Sequence, residues 1–242
     1  AEGSLVTPEK LPFGKGYSVV EVQAPYGYVL DETPVYFDVT EDNSTEESGV
    51  TVVKVDKPNM AQKGTITVEK TGEVFFGVSV IGGIDESGNE LPTIYQPQYE
   101  KRGLPGAVYE IIAAEDIITQ DGTVRNQKGE VVDTVTTDET GTAVSRELYL
   151  GNGMVLNPEP HCVELVYAGQ NVAVTETATS FENERQKVEI SLVKSIEQNE
   201  RFGIGTNGEM KNISFGLFAV EEIVSASGTS IPADGLIEII SL

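Results

Sequence analysis

The stretch Asn183-Glu184-Arg185-Gln186-Lys187-Val188-Glu189-Ile190-Ser191-Leu192-Val193-Lys194 decides how the chain is read, because its pattern occurs twice. Gln62-Lys63-Gly64-Thr65-Ile66-Thr67-Val68-Glu69-Lys70 matches the run from Gln186 to Lys194. Each opens on Gln-Lys, places Ile fifth, alternates and ends on Lys. Alternation with a period of two marks a strand with one buried face. Upstream of each copy lies another alternating run and then a small acid or amide, Asp56 in the first and Asn183 in the second. Each copy therefore reads as a junction, where one β domain's last strand passes into the next domain's first. Lys70 and Lys194 stand about one domain length apart, which predicts a tandem array. The units predicted are residues 1–58, 59–186 and 187–242.

Composition narrows the functions open to such a chain. Its 242 residues carry 39 acidic against 16 basic side chains, a net charge of −23. Nothing in that balance neutralises phosphates, so nucleic acid is excluded as a partner. The acidity reads as a solvated, soluble surface. Asp85-Glu86-Ser87-Gly88-Asn89-Glu90 lacks the ligand spacing of a Ca2+ loop and reads as a turn. No metal and no cofactor are predicted. The single Cys, Cys162, can form no intrachain disulfide. Its neighbour His161 is the only His, and adjacent strand residues point to opposite faces, so the two make no nucleophile–base pair. No Ser-His-Asp set is available, and no enzyme turning over a substrate is predicted. No apolar run is long enough to cross a membrane as a helix.

Taken in order, Tyr17-Ser18-Val19-Val20-Glu21-Val22, Val35-Tyr36-Phe37-Asp38-Val39 and Val50-Thr51-Val52-Val53-Lys54-Val55 read as three strands, the back half of a domain. The second unit opens with the strand ending at Lys70. An apolar, Gly-punctuated run at 73–84 and a long polar insertion at 86–101 follow. Strands are predicted at 106–113 and 131–137, a tight turn at Asp138-Glu139-Thr140-Gly141, and strands at 163–166, 171–175 and 180–183. Gly27-Tyr28-Val29-Leu30-Asp31 parallels Gly153-Met154-Val155-Leu156-Asn157, and Leu11-Pro12-Phe13-Gly14 parallels Leu148-Tyr149-Leu150-Gly151. Between the matched glycines the first unit has a whole strand and turn, including Glu21, and the second has almost nothing. The third unit opens with a strand at 188–194, and its run at 213–220 echoes the one at 106–113. Ala1 begins mid-pattern and Leu242 stops inside an apolar run, so both ends read as cuts in a longer protein. Asn43-Ser44-Thr45 and Asn212-Ile213-Ser214 are glycosylation sequons by formula only.

Tyr17-Ser18-Val19-Val20-Glu21-Val22-Gln23-Ala24-Pro25-Tyr26-Gly27-Tyr28 resembles the "E-box" of the Cna B-type, SpaA-like domains of Gram-positive surface adhesins and pilins. Leu104-Pro105-Gly106-Ala107-Val108-Tyr109 and Thr137-Asp138-Glu139-Thr140-Gly141 also resemble that family, in the right order. The resemblance implies an all-β fold, tandem antiparallel β-sandwich domains of prealbumin or immunoglobulin-like type, one complete and two partial. It implies an isopeptide bond between a Lys on a domain's first strand and an Asn or Asp on its last, with the E-box Glu between them. Carried over, the second unit has Lys70 and Asn183, and its acid has no match; Glu164 or Glu176 could substitute. The first unit has the acid Glu21 and the acceptor Asp56, with its Lys expected before Ala1. The third has Lys194, with its acid and acceptor expected beyond Leu242. The chemistry has a physical logic of its own. An amine attacks only when neutral, and burial favours the neutral form. A protonated carboxylic acid can polarise the amide and shuttle protons, and neighbouring strands supply the effective concentration.

Two functions follow from the resemblance. One is a structural stalk segment of a secreted, cell-wall-attached adhesin or pilin-like protein. The other is a ligand-binding module for host extracellular matrix, another surface protein or a glycan, with residues 86–101 and their Tyr95 and Tyr99 as its site.

Overall fold

In the computed structural model, residues 3–41, 45–47, 50–206, 208–209, 211 and 213–241 are described. Asn43 and Ser44 of one sequon and Asn212 of the other lie outside them. The strands, in order, are β1 (Gly14–Val19), β2 (Val35–Val39), β3 (Thr45–Glu47), β4 (Val50–Val52), β5 (Lys63–Ile84), β6 (Glu90–Gly103), β7 (Val108–Ala113), β8 (Ile117–Ile118), β9 (Val124–Asn126), β10 (Val131–Thr136), β11 (Thr142–Val144), β12 (Leu148–Tyr149), β13 (Gly151–Asn157), β14 (His161–Leu165), β15 (Val174–Asn183), β16 (Ser214–Phe218), β17 (Ile223–Val224), β18 (Ser230–Ile231) and β19 (Leu236–Ser241). The protein is all-β; its one helical turn among the described residues is the short 3-10 turn Glu200–Phe202.

The chain divides into two compact units, Ala1–Glu69 with Pro105–Phe181, and Lys70–Leu104 with Glu182–Leu242. These differ from the repeat units read in the sequence, because β5 and β15 each run through both.

The first unit contains a β-sandwich. One sheet has the order β10-β7-β13-β14. The opposing layer is residues 63–69 of β5 with β11 and β12 antiparallel on it. Alternation does the work the sequence promised: Tyr109, Ile111 and Ala113 of β7, Met154 and Leu156 of β13, and Ile66 and Val68 of β5 all turn inward to one core. Each fully buried aliphatic side chain contributes about 1.5–3 kcal/mol. In β10 the buried residues are Val132 and Val135, out of step with a period of two. A register shift between Val131 and Asp133 absorbs the extra residue, as a β-bulge does. The predicted turn after β10 is capped by Asp138, whose Oδ1 accepts the backbone N–H groups of Thr140 at 2.9 Å and Thr142 at 3.0 Å, with Gly141 at φ 80°. The Thr140 hydroxyl, which donates to the same oxygen at 2.6 Å, is the leading reason that the Asp138 carboxyl is held below its ordinary range.

The junction before β5 is a buried polar knot. Gln62 is 1% exposed. Its Oε1 accepts from Ala168 N at 2.8 Å, and its Nε2 donates to the carbonyls of Gly169, at 2.9 Å, and Val172. The same loop reaches the Ala24–Leu30 segment, where Gln170 Oε1 accepts from Ala24 N and Gln170 O from Leu30 N, both at 2.8 Å.

The second unit is built on a hairpin. Residues 71–84 of β5 pair antiparallel with β6. Residues 86–101, read as a polar insertion, are therefore mostly strand. The tight turn between the strands is fixed by Asp85, whose carboxylate accepts from Ser87 N, Asn89 N and Asn89 Nδ2. β19 runs parallel to β6 at Leu236↔Ile94, and β16 lies antiparallel on β19. The run at 188–194, predicted as a strand, is not one. Its alternation is real, but a strand also requires a partner's backbone, and Val188 and Val193 stay 82% and 89% exposed.

Candidate functional site

The inward face of β5 runs through Gly64, Ile66, Val68, Lys70 and Gly72, all buried. A strand alternates whatever its side chains are, so the lysine follows the hydrophobic face inward. Lys70 is 3% exposed. β15 lies beside β5. Thr175 of β15 stands against Gly64, and Asn183 against Gly72. Both numbers rise together, so the two strands run parallel. The last residue of β15 is Asn183, and Lys70 Nζ donates to Asn183 Oδ1 at 2.7 Å. Oδ1 is one bond from Cγ, the carbon an attacking amine must reach. On the other side Leu104 N donates to the Lys70 carbonyl at 2.8 Å, which fixes the backbone that carries the amine.

Charges outside this pair tie down the end of β15. Lys101 Nζ lies 2.5 Å from Glu182 Oε2, and Arg185 Nε 3.2 Å from Glu73 Oε2. The Arg185 guanidinium also lies 3.9 Å from the centroid of the Tyr99 ring.

Near the start of the chain Glu21 meets Asn59, where the sequence suggested Asp56. Glu21 Oε2 accepts from Asn59 Nδ2 at 2.6 Å and from Asp31 N at 3.0 Å. Asn59 Nδ2 also donates to Val29 O at 3.0 Å. Asn59 is part-buried, whereas Asp56, three residues earlier, is exposed. The sequence held the signal: Asn59 stands three residues before Gln62-Lys63, as Asn183 stands three before Gln186-Lys187. Beside this pair Lys57 Nζ lies 2.8 Å from Asp31 Oδ2 and donates to Thr33 O at 2.5 Å. The bond from Lys57 is the largest cause holding the Asp31 carboxyl far below its ordinary range.

Lys194 lies on the irregular run after β15 and is exposed. Glu164 and Glu176, weighed as substitute acids, are exposed as well. A carboxylate that sequence reasoning passed over, Glu159, is part-buried. Its Oε1 accepts from Tyr109 Oη at 3.3 Å. Tyr109 is 1% exposed and stacks on Phe181 at 5.2 Å between centroids. Burial, with the Glu159 charge second, pushes its phenol up to about 12. Cys162 is exposed on β14 beside the exposed His161. Tyr95 and Tyr99 are strand residues of β6, opposite Val80 and Phe75 of β5.

Residues 1–54 match the family model of the SpaA prealbumin-like fold domain. That span holds the stretch Tyr17 to Tyr28 and its Glu21. No curated protein and no solved structure matches the chain. Domains of the matched family are structural units in the stalks of Gram-positive pilins and adhesins.

Proposed function

We propose that this chain is a stalk segment of a secreted, wall-attached adhesin or pilin-like protein of a Gram-positive bacterium, and that its second repeat is closed by an isopeptide bond between Lys70 and Asn183. One observation carries the reading: a lysine buried to 3% exposure places its amine 2.7 Å from the side-chain amide oxygen of an asparagine on the neighbouring strand. A buried ammonium is costly to hold. A reaction between the two removes the charge altogether. The repeats follow the sequence junctions, Asn59 to Gln62 and Asn183 to Gln186, with Glu21 and Asn59 as acid and acceptor of the first. On this reading the protein performs at most one turnover on itself and then bears load.

Pull along a tandem stalk enters a repeat at its first strand and leaves at its last. A covalent tie between β5 and β15 carries force past the hydrogen bonds that separate the strands. The chain's single cysteine leaves an intrachain disulfide no part in this. The deciding experiment is the intact mass of the purified chain. The bond expels one ammonia, so the wild-type chain is expected one ammonia lighter than its sequence mass, and Lys70→Ala at its full calculated mass. A wild-type chain at full mass overturns the bond.

A further inference from the structure

We infer that Asn183 is positioned for the reaction with Lys70 by two devices, the missing side chain of Gly72 and a quartet of charges that brackets the acceptor; the inference rests on the isopeptide reading above. Gly72 is buried two residues beyond Lys70 on the same face of β5. A Cβ at Gly72 would stand 2.8 Å from the Asn183 backbone oxygen and 2.8 Å from Leu104 Cδ1. Gly72 has no positive φ, so what fixes glycine here is space and not backbone conformation. The obstructing oxygen belongs to the main chain and cannot swing aside like the tip of a long side chain. Any larger residue therefore displaces the residue that carries the acceptor amide.

The quartet holds the same residue from its flanks. Glu73 and Lys101 face each other across the β5–β6 hairpin. Lys101 takes Glu182, one residue before Asn183, and Glu73 takes Arg185, two residues after it. Adjacent strand residues point to opposite faces. Glu182 thus reaches Lys101 while Asn183, itself exposed, reaches Lys70 from the opposite side of the strand. The four side chains are well exposed, and such pairs add little stability. Their effect is on placement: opposite charges on the hairpin match opposite charges on the acceptor segment, in one register only.

Placement matters because of what the step requires. The neutral amine Nζ of Lys70 forms a bond to Asn183 Cγ, the Cγ–Nδ2 bond breaks, and the amide nitrogen leaves as ammonia with a proton from the amine. Nothing is oxidised or reduced. A misplacement of about 1 Å slows such a step on the order of a hundredfold.

The test follows ammonia loss over time by intact mass, with the full chain made by cell-free synthesis and sampled at intervals. Gly72→Val is expected to slow the loss by about ten- to a hundredfold. Glu182→Lys, which sets like charges together, is expected to slow it severalfold, and Glu182→Lys with Lys101→Glu to restore most of the rate. Circular dichroism checks that each variant keeps its sheet; should Gly72→Val fail to fold, the charge reversal and its rescue still decide. If the wild type loses ammonia and the folded variants lose it equally fast, the positioning inference is overturned and the bond stands. A wild type that never loses ammonia removes the bond itself and the inference with it.

Discussion

Asn59 Nδ2 donates to Glu21 Oε2 at 2.6 Å, across 38 positions of sequence. The same oxygen accepts from Asp31 N, so a single carboxylate pins two segments of the first repeat. Hydrogen bonds to a charged group contribute about 1.5–3 kcal/mol each. Glu21→Ala leaves Asn59 Nδ2 its bond to Val29 O but deprives the Asp31 N–H of its acceptor. A loss of about 2–4 kcal/mol is expected, read as a lower urea midpoint with an unchanged slope. Asp56→Ala, at an exposed position, is expected to change stability by less than about 0.5 kcal/mol.

Gln62 offers a second test of the same region. Its amide makes three bonds to the 168–172 loop while almost wholly shielded from water. Gln62→Leu keeps the bulk but strands the Ala168 N–H and takes a donor from two carbonyls, of which Gly169 O keeps its bond from Val172 N. At about 1 kcal/mol per bond, plus the cost of an orphaned donor, a loss of about 3–5 kcal/mol is expected in chemical denaturation. Amide hydrogen exchange is expected to rise at Ala24 and Leu30, whose N–H groups are held by Gln170 of the same loop.

Alkaline pH reports on the buried tyrosine. The Tyr109 phenol stands at about 12 when folded, against 10.0 for an ordinary tyrosine. A group with a raised folded value contributes stability that is fully present below its unfolded value and is lost as pH rises through the folded one. The stability from Tyr109 is therefore complete below pH 10 and gone by about pH 12. Tyr109→Phe is expected to flatten this part of the stability profile, measured as urea midpoints from pH 9 to 12, and to leave the acid limb unchanged.

Acid pH acts on the turns. Bonds from Thr119 and Thr123, with the Arg125 charge nearby, hold Asp121 down to about 2, and Asp85 and Asp138 are lowered by their own turn bonds. Depressed carboxylates contribute above their unfolded value, about pH 4, and lose that contribution as pH falls toward 2. Asp121→Asn is expected to shrink the stability lost between pH 4 and pH 2. Unequal urea slopes across that range would mark a change in the unfolded state instead.

The sequence carried these elements unevenly, for physical reasons. Where one face of a strand is buried, as in β7, β10 and the first half of β5, alternation names the strand and its inward residues. Lys70 was legible because it continues the face of Ile66 and Val68. β6 was not: Glu90 to Gly103 is exposed for most of its length, so no hydrophobic period separates it from a loop. The run at 188–194 shows the reverse, a period with no partner. Pairing joins residues far apart in the chain, and a local pattern does not contain it. The Asn59 contact with Glu21 lay within reach of the repeat's own register, since Asn59 stands before Gln62 as Asn183 stands before Gln186. Glu159 had no signal, since its bond from Tyr109 spans fifty positions of sequence.

A double-mutant cycle on Lys70 and Asn183 separates a covalent bond from a hydrogen bond. The residues are 113 positions apart, and a cross-link over a loop of that size restricts the unfolded chain by about 4–5 kcal/mol in the loop-entropy description. If the bond forms, Lys70→Ala and Asn183→Ala each abolish it completely. The two single variants and the double variant should then lose similar amounts, with a coupling as large as either loss. If the pair is only hydrogen-bonded, coupling is expected at about 0.5–3 kcal/mol. Asn183→Asp adds a chemical check. An aspartic acid acceptor releases water in place of ammonia, so the variant that reacts is one water lighter than its own sequence. Full-mass Asn183→Asp beside a reacted wild type would show that the amide, and not merely the position, is required.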